Sequence, residues 1–443
     1  MKTLIKSLSV IALVCVAPAA IAKPATPAKP ATAAPASALD LRIDQIPAVL
    51  GGTVKPSDYF ADSFLSAVSP SQFVALTSEI ALQMGKPIKI ISRKPYGTSA
   101  ASAVVEFEKA TATVELRIGQ GAPNKVTEFL IKPPVMKSAS TSTDSIDALT
   151  SDFTALPGKA GFVIETLSNT GAQIVGGSNI DTQYAIGSTF KLYILAELAS
   201  EVQSGQRRWS DVVPLSRRSF SSTATRGWPK DTPMTLQTLA TMMISVSDNS
   251  AADTLLAVLG RSAVEQKLAT IGHSDPDKAL PFLSTVEAFA LKSKANGALR
   301  DRFLKADEAG QRALLTTEAT KLGFAQVDAA AFDNGPAFID QIEWFASPKD
   351  IGALLNNIRR TNNKTALEIM GVNTGIAPAT AAKWKYLGYK GGSEPGVISM
   401  SFLGVTPKGE WRVVSGSWNN PVKEVDEGAF VTLMTRALDW AVR

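Results

Sequence analysis

The chain has 443 residues, 45% of them apolar, and carries 45 Lys and Arg against 40 Asp and Glu. That length suits two packed cores, because single domains usually run to roughly 100–200 residues. The cations are scattered rather than gathered in a stripe, which argues against a nucleic-acid partner. One histidine and one cysteine leave carboxylates as the only plentiful metal ligands, so neither a metal centre nor a cofactor is expected.

Lys2 and Lys6 flank the start of an apolar run from Leu8 to Val16, and Ala20-Ile21-Ala22 follows as a small-x-small cleavage site. Residues 1–22 therefore read as a secretory signal, and the expected location is the periplasm. The run is too short to span a bilayer, and no other stretch of about 20 apolar residues occurs, so no membrane insertion is expected. Cys15 lies inside the signal, which leaves a mature chain without a thiol; Val14 before it is a poor fit to a lipidation site. Residues 23–37 are rich in Ala and Pro and read as an extended tether.

From 38 to 136 the pattern predicts a small α+β domain. Two short helical stretches come first, the second opening at Ser69-Pro70, a cap followed by proline at the first helical position. Four strands follow, around Lys89–Ile91, Val104–Phe107, Val114–Ile118 and Val126–Ile131, with Gly119 to Gly121 as a turn. A Ser/Thr-rich linker, 137–145, leads to a large domain over 146–443. In it Phe162–Thr166 and Ala172–Val175 flank the turn Ser168-Asn169-Thr170-Gly171, and a second hairpin, Val397–Gly404 and Trp411–Ser417, turns at Thr406-Pro407-Lys408-Gly409. A last helix spans about Glu427 to Val442, and the region between the hairpins is largely helical. Strands at both ends of one domain predict a single antiparallel sheet packed on a helical layer.

Three short motifs stand in that domain. Ser188-Thr189-Phe190-Lys191 opens an apolar helical run, so Ser188 and Lys191, three apart, share a face, and a buried lysine amine can take the serine proton. The free N–H groups of that helix start suit a developing oxyanion. Ser247-Asp248-Asn249 sits between two apolar helices, where it reads equally as a cap cluster or as the carrier of a second hydroxyl. Lys390-Gly391-Gly392-Ser393 precedes the terminal hairpin, its glycines allowing close backbone approach.

Together and in this order the motifs resemble the S-x-x-K, S-D-N and K-[ST]-G elements of the class A β-lactamase and penicillin-binding-protein superfamily. The resemblance covers about Ser145 to Arg443. Its closest branch is similar to clavam-biosynthesis and actinobacterial-lipoprotein relatives, in which a steroid-isomerase-like, cone-shaped domain precedes the hydrolase domain. It implies a serine hydrolase that forms an acyl-enzyme with a small-molecule acyl substrate, a β-lactam or an ester. Ser188 would be the nucleophile, Lys191 its base, Ser247 a proton shuttle and Lys390 an electrostatic partner. Asn249, Gly392 and Ser393 would line the substrate site, with the Ser188 and Ser393 N–H groups forming an oxyanion hole.

Two departures stand out. Gly391 replaces the hydroxyl residue of the third motif, and no E-x-x-L-N loop supplies a deacylating glutamate; Glu287 is the nearest acid and reads better as a surface helix residue. Residues 284–321 look like added helix, a candidate lid. A D-alanyl-D-alanine carboxypeptidase-type enzyme is the alternative, and a weakly active binding protein a third reading. A Ser-His-Asp hydrolase would have to use His273 in a polar loop, without a G-x-S-x-G element. Trp228 and Trp344 read as packing residues.

Overall fold

The computed structural model describes residues 37–443 apart from 133, 137–144, 223, 226 and 329–334. The expected signal segment, nearly all of the Ala/Pro tether and nearly all of the Ser/Thr-rich linker lie outside the described residues. The chain forms two compact units divided between Lys137 and Ser138.

In the first unit a four-strand antiparallel path runs in chain order through Pro87–Pro95, Ala100–Phe107, Ala110–Ile118 and Val126–Ile131; Val135–Met136 also pairs with Ala110–Ile118. Alternation in Ala110–Ile118 turns Ala110, Ala112, Val114, Leu116 and Ile118 inward. They meet an aromatic cluster in which Phe60 contacts Tyr59, Phe64, Phe73 and Phe129. Ser69 caps the Pro70–Met84 helix through a capping box with Gln72. The region before it holds four short helices, Ala38–Asp44, Ile46–Leu50, Pro56–Tyr59 and Asp62–Ala67, so the helical part is more divided than the two expected stretches. Pro47 and Pro56 explain part of the division, because each sits in the first turn of its helix and removes a donor that a longer helix would need.

The second unit is built on an antiparallel sheet ordered Tyr386–Glu394, Val397–Val405, Trp411–Asn419, Lys159–Leu167, Ala172–Ser178. Strands from its two ends thus meet, with Trp411–Asn419 beside Lys159–Leu167. One face, with Leu167, Leu403 and Val413, packs on the Lys191–Gln203 and Pro348–Arg360 helices. The other, with Phe162, Phe402 and Val414, packs on Ile146–Thr154 and Glu427–Ala441, where Phe153 stacks on Phe162. Burial on both faces accounts for the nearly unbroken apolar sequence of Val397–Val405. The helices within 284–321 place Leu291, Leu299, Phe303 and Leu315 in the main core. No helix of the described residues is long and apolar enough to cross a membrane.

Candidate active site

Ser188 lies in a 3₁₀ turn, Gly187–Phe190, and the α-helix begins only at Lys191. The sequence reading placed the helix start at the serine itself. The tighter turn arises where Gly187 adopts a left-handed φ of 46°. In a 3₁₀ turn residues three apart eclipse one another, so the expected pairing persists: Lys191 Nζ stands 3.2 Å from Ser188 Oγ. The turn is anchored from behind. Ile186 N–H donates to the Trp344 carbonyl at 3.0 Å, and the Trp344 ring stacks on Phe190 at 3.8 Å. Trp344 is buried and Trp228 half-buried against the same core, as packing residues should be.

The second motif divides its labour. Asp248 caps the Asn249–Leu259 helix through Ala251 N–H and accepts from the Thr225 N–H and hydroxyl at 3.0–3.1 Å. Asn249 instead faces Lys191: its Oδ1 accepts from Lys191 Nζ at 2.5 Å, while its Nδ2 donates to the Phe220 carbonyl at 2.8 Å. Ser247 sits in the left-handed region at φ 58°, a conformation a serine rarely adopts. There its Oγ is bracketed by two lysine amines, 3.1 Å from Lys191 Nζ and 3.0 Å from Lys390 Nζ.

Lys390 and Gly392 lie on the edge strand Tyr386–Glu394, on the strand face that meets the nucleophile turn. Gly392 approaches so closely that a Cβ there would stand 2.3 Å from Ser188 N and 2.3 Å from Ile186 O. Only glycine fits, and the contact brings the Ser188 and Ser393 backbone nitrogens to one place, since the Gly187 Cβ position lies 3.2 Å from Ser393 N. Ser393 projects from the strand's opposite face. Gly391 is explained by its neighbour: a Cβ at 391 would stand 2.0 Å from Tyr389 Oη.

Both lysines are buried. Burial lowers Lys191 to about 7 against the opposing pull of Asp253 and Asp248, and burial together with the charge of Lys191 sets Lys390 well below the ordinary lysine value. A neutral Lys191 amine has two hydrogens, and two strong acceptors meet them: Ser247 O at 2.7 Å and Asn249 Oδ1 at 2.5 Å. Its lone pair is then left for the Ser188 and Ser247 hydroxyls, at 3.2 and 3.1 Å.

Several residues at the site carried no motif signal. Asp253, one turn beyond Asn249, accepts from Thr285 N–H, Thr285 Oγ1 and Val286 N–H at 2.7–3.0 Å and ties the two helices together. Ser250 Oγ accepts from Ser219 N–H and donates to Ser222 Oγ, and these buried bonds fix the segment carrying Phe220. The polar run from Ser219 to Ser222 was the available signal. Glu287 belongs elsewhere: it completes the capping box with Ser284 and pairs with Arg261 Nη2 at 2.6 Å. His273 is buried rather than solvated, its Nε2 3.0 Å from the Phe345 carbonyl and its Nδ1 accepting from Asp275 N–H.

The model of a family described as "Beta-lactamase enzyme family" matches residues 142–375. Among solved structures, a β-lactamase from Sphaerobacter thermophilus is 18% identical with a TM-score of 0.44, over 67% of this chain and 96% of that one. A β-lactamase from Chitinophaga pinensis is 16% identical, TM-score 0.44, over 66% and 97%. A structure of PBP-A is 15% identical, TM-score 0.45, over 68% and 95%. No curated protein is matched.

Proposed function

Because the chain belongs to the β-lactamase enzyme family, we propose that it is a serine hydrolase acting through an acyl-enzyme on Ser188, with β-lactams or small esters as substrates. The observation that carries this reading is the placement of the buried Lys191 amine, 3.2 Å from Ser188 Oγ with its two hydrogens engaged elsewhere.

Ser188 Oγ attacks the acyl carbonyl as its proton passes to Lys191 Nζ. The Ser188 and Ser393 N–H groups receive the oxyanion, and the helix that follows the turn adds its positive end. On collapse of the tetrahedral intermediate the proton moves from Lys191 through Ser247 Oγ to the leaving nitrogen or oxygen, and Lys390 holds Ser247 in place from the other side. Water then hydrolyses the ester. For a β-lactam this last step is slow, because Glu287, the nearest acid in the sequence reading, is engaged by Arg261 and its own helix cap. That same observation favours the second reading, a D-alanyl-D-alanine carboxypeptidase-type acyl transfer.

Two finer readings rest on sequence: export to the periplasm on residues 1–22, and a steroid-isomerase-like first unit, which its helices-then-sheet order suits. The test is steady-state turnover of nitrocefin and p-nitrophenyl acetate by the wild type and by Ser188→Ala. Turnover of either substrate that vanishes in the variant is expected. Turnover that survives in Ser188→Ala, or a wild type that neither turns over nor is acylated by either substrate, would overturn the assignment.

A further inference from the structure

Beside the nucleophile turn lies a buried charged cluster that the chemistry above does not use. Lys292, the last residue of the Thr285–Lys292 helix, has a fully buried side chain whose Nζ donates to Glu343 Oε1 at 2.6 Å and to Glu394 Oε1 at 2.6 Å. The two carboxyls come from different segments of the chain. Glu394 directly follows Ser393 on the edge strand. Glu343 directly precedes Trp344, whose carbonyl holds Ile186 N–H at 3.0 Å, two residues before Ser188.

We propose that Lys292 is a positioning residue for the oxyanion hole: one buried ammonium ties down the strand end that carries the Ser393 donor and the segment that anchors the Ser188 donor, fixing the gap between them. The inference rests on the acyl-enzyme reading above. Lone electrostatics do not explain such a cluster, since a buried ion pair seldom adds net stability over an apolar one; a geometric role is the better-supported use. The protonation state agrees. Burial opposes the charge on Lys292, yet Glu343 and Glu394 outweigh it and hold its pKa above the ordinary value; burial and then the charge of Glu343 push Glu394 well up. The cluster therefore keeps the Lys292 ammonium between two carboxyl groups. Its rigidity matters because oxyanion donors act only when already aimed at the developing charge, and misplacement by about 1 Å can lower a rate on the order of 100-fold.

The experiment is the labelling rate of Ser188 by a fluorophosphonate, whose phosphoryl oxygen enters the oxyanion hole as fluoride departs, alongside the affinity for phenylboronic acid. The variants are Glu394→Ala, Glu394→Gln, and Lys292→Met combined with Glu343→Gln so that a single carboxyl, that of Glu394, remains. Glu394→Ala and the double variant are expected to label at least tenfold more slowly and to bind the boronate at least tenfold more weakly. Glu394→Gln, which keeps an acceptor for Lys292, is expected within threefold of wild type; a merely structural role would not give that rescue. Folded Glu394→Ala labelling at the wild-type rate would overturn the proposal and leave the acyl-enzyme reading intact. A wild type that is not labelled at Ser188 would overturn both.

Discussion

Two lysine amines that both reach one serine hydroxyl, Lys191 at 3.1 Å and Lys390 at 3.0 Å from Ser247 Oγ, disfavour each other's charge, and burial disfavours both. Lys191, lowered to about 7, is the group whose titration the reaction should report. Its free amine is the active form, so acylation should rise with pH through about 7 and stand at about a tenth of its plateau one unit below; stopped-flow acylation between pH 5 and 9 checks this, and a flat profile contradicts it. Lys191→Met should lower the acylation rate roughly 10²–10⁴-fold. Gly392→Ala should be nearly as damaging, at least tenfold on the same assay, because the added methyl would stand 2.3 Å from Ser188 N. At this scale much was legible. A serine three before a lysine names its own geometry, whether the turn is α or 3₁₀. The division between Asp248 as cap and Asn249 as partner of Lys191 was not, since both residue types suit a helix start and only the fold shows which one the lysine reaches.

Elements carry the site by being pinned to one another. Asp248 both starts the Asn249–Leu259 helix and holds Thr225, so Asp248→Ala should destabilise the unit by roughly 1–3 kcal/mol, read as a lowered melting temperature. Glu165, on the interior strand Lys159–Leu167, is buried, and its Oε2 has no hydrogen-bond partner among the described residues. Burial pushes its carboxyl up to about 7. The folded chain therefore holds a proton that the unfolded chain releases near the ordinary glutamate value, and stability present at low pH is lost as pH rises to about 7. A shift of this size corresponds to about 3 kcal/mol. Glu165→Gln should remove that loss and be the more stable protein at pH 8, with little gain at pH 4; urea melts at the two pH values decide it, and an equal difference at both would count against the burial argument. Both hairpins of this sheet could be read from Ser168–Gly171 and Thr406–Gly409 because turn chemistry is local. The edge strand was legible only as a stretch before the terminal hairpin whose glycines allow close backbone approach. Gly392 is set by Ser188, from elsewhere in the chain, and Gly391 by the hydroxyl of its strand neighbour Tyr389.

At the scale of the whole molecule, each unit encloses its own core, one around Phe60 and Phe107, the other around Leu192, Leu255 and Leu354. Every side chain assigned to the chemistry comes from the second. Residues 138–443 expressed alone should therefore fold and label at Ser188 within about threefold of the full chain; a fragment that folds yet loses the reaction would give the first unit a part in it. The split into two domains was visible in composition, whereas the buried Lys292 cluster was not, because its three members are brought together only by the fold. The most direct measurement is intact-mass spectrometry of the chain and of Ser188→Ala after incubation with benzylpenicillin, with peptide mapping of any adduct. The account predicts a mass increase of one penicilloyl group on Ser188 that persists for minutes or longer and is absent from the variant. An adduct on another residue, or an unmodified chain that also leaves nitrocefin and p-nitrophenyl acetate untouched, would contradict it.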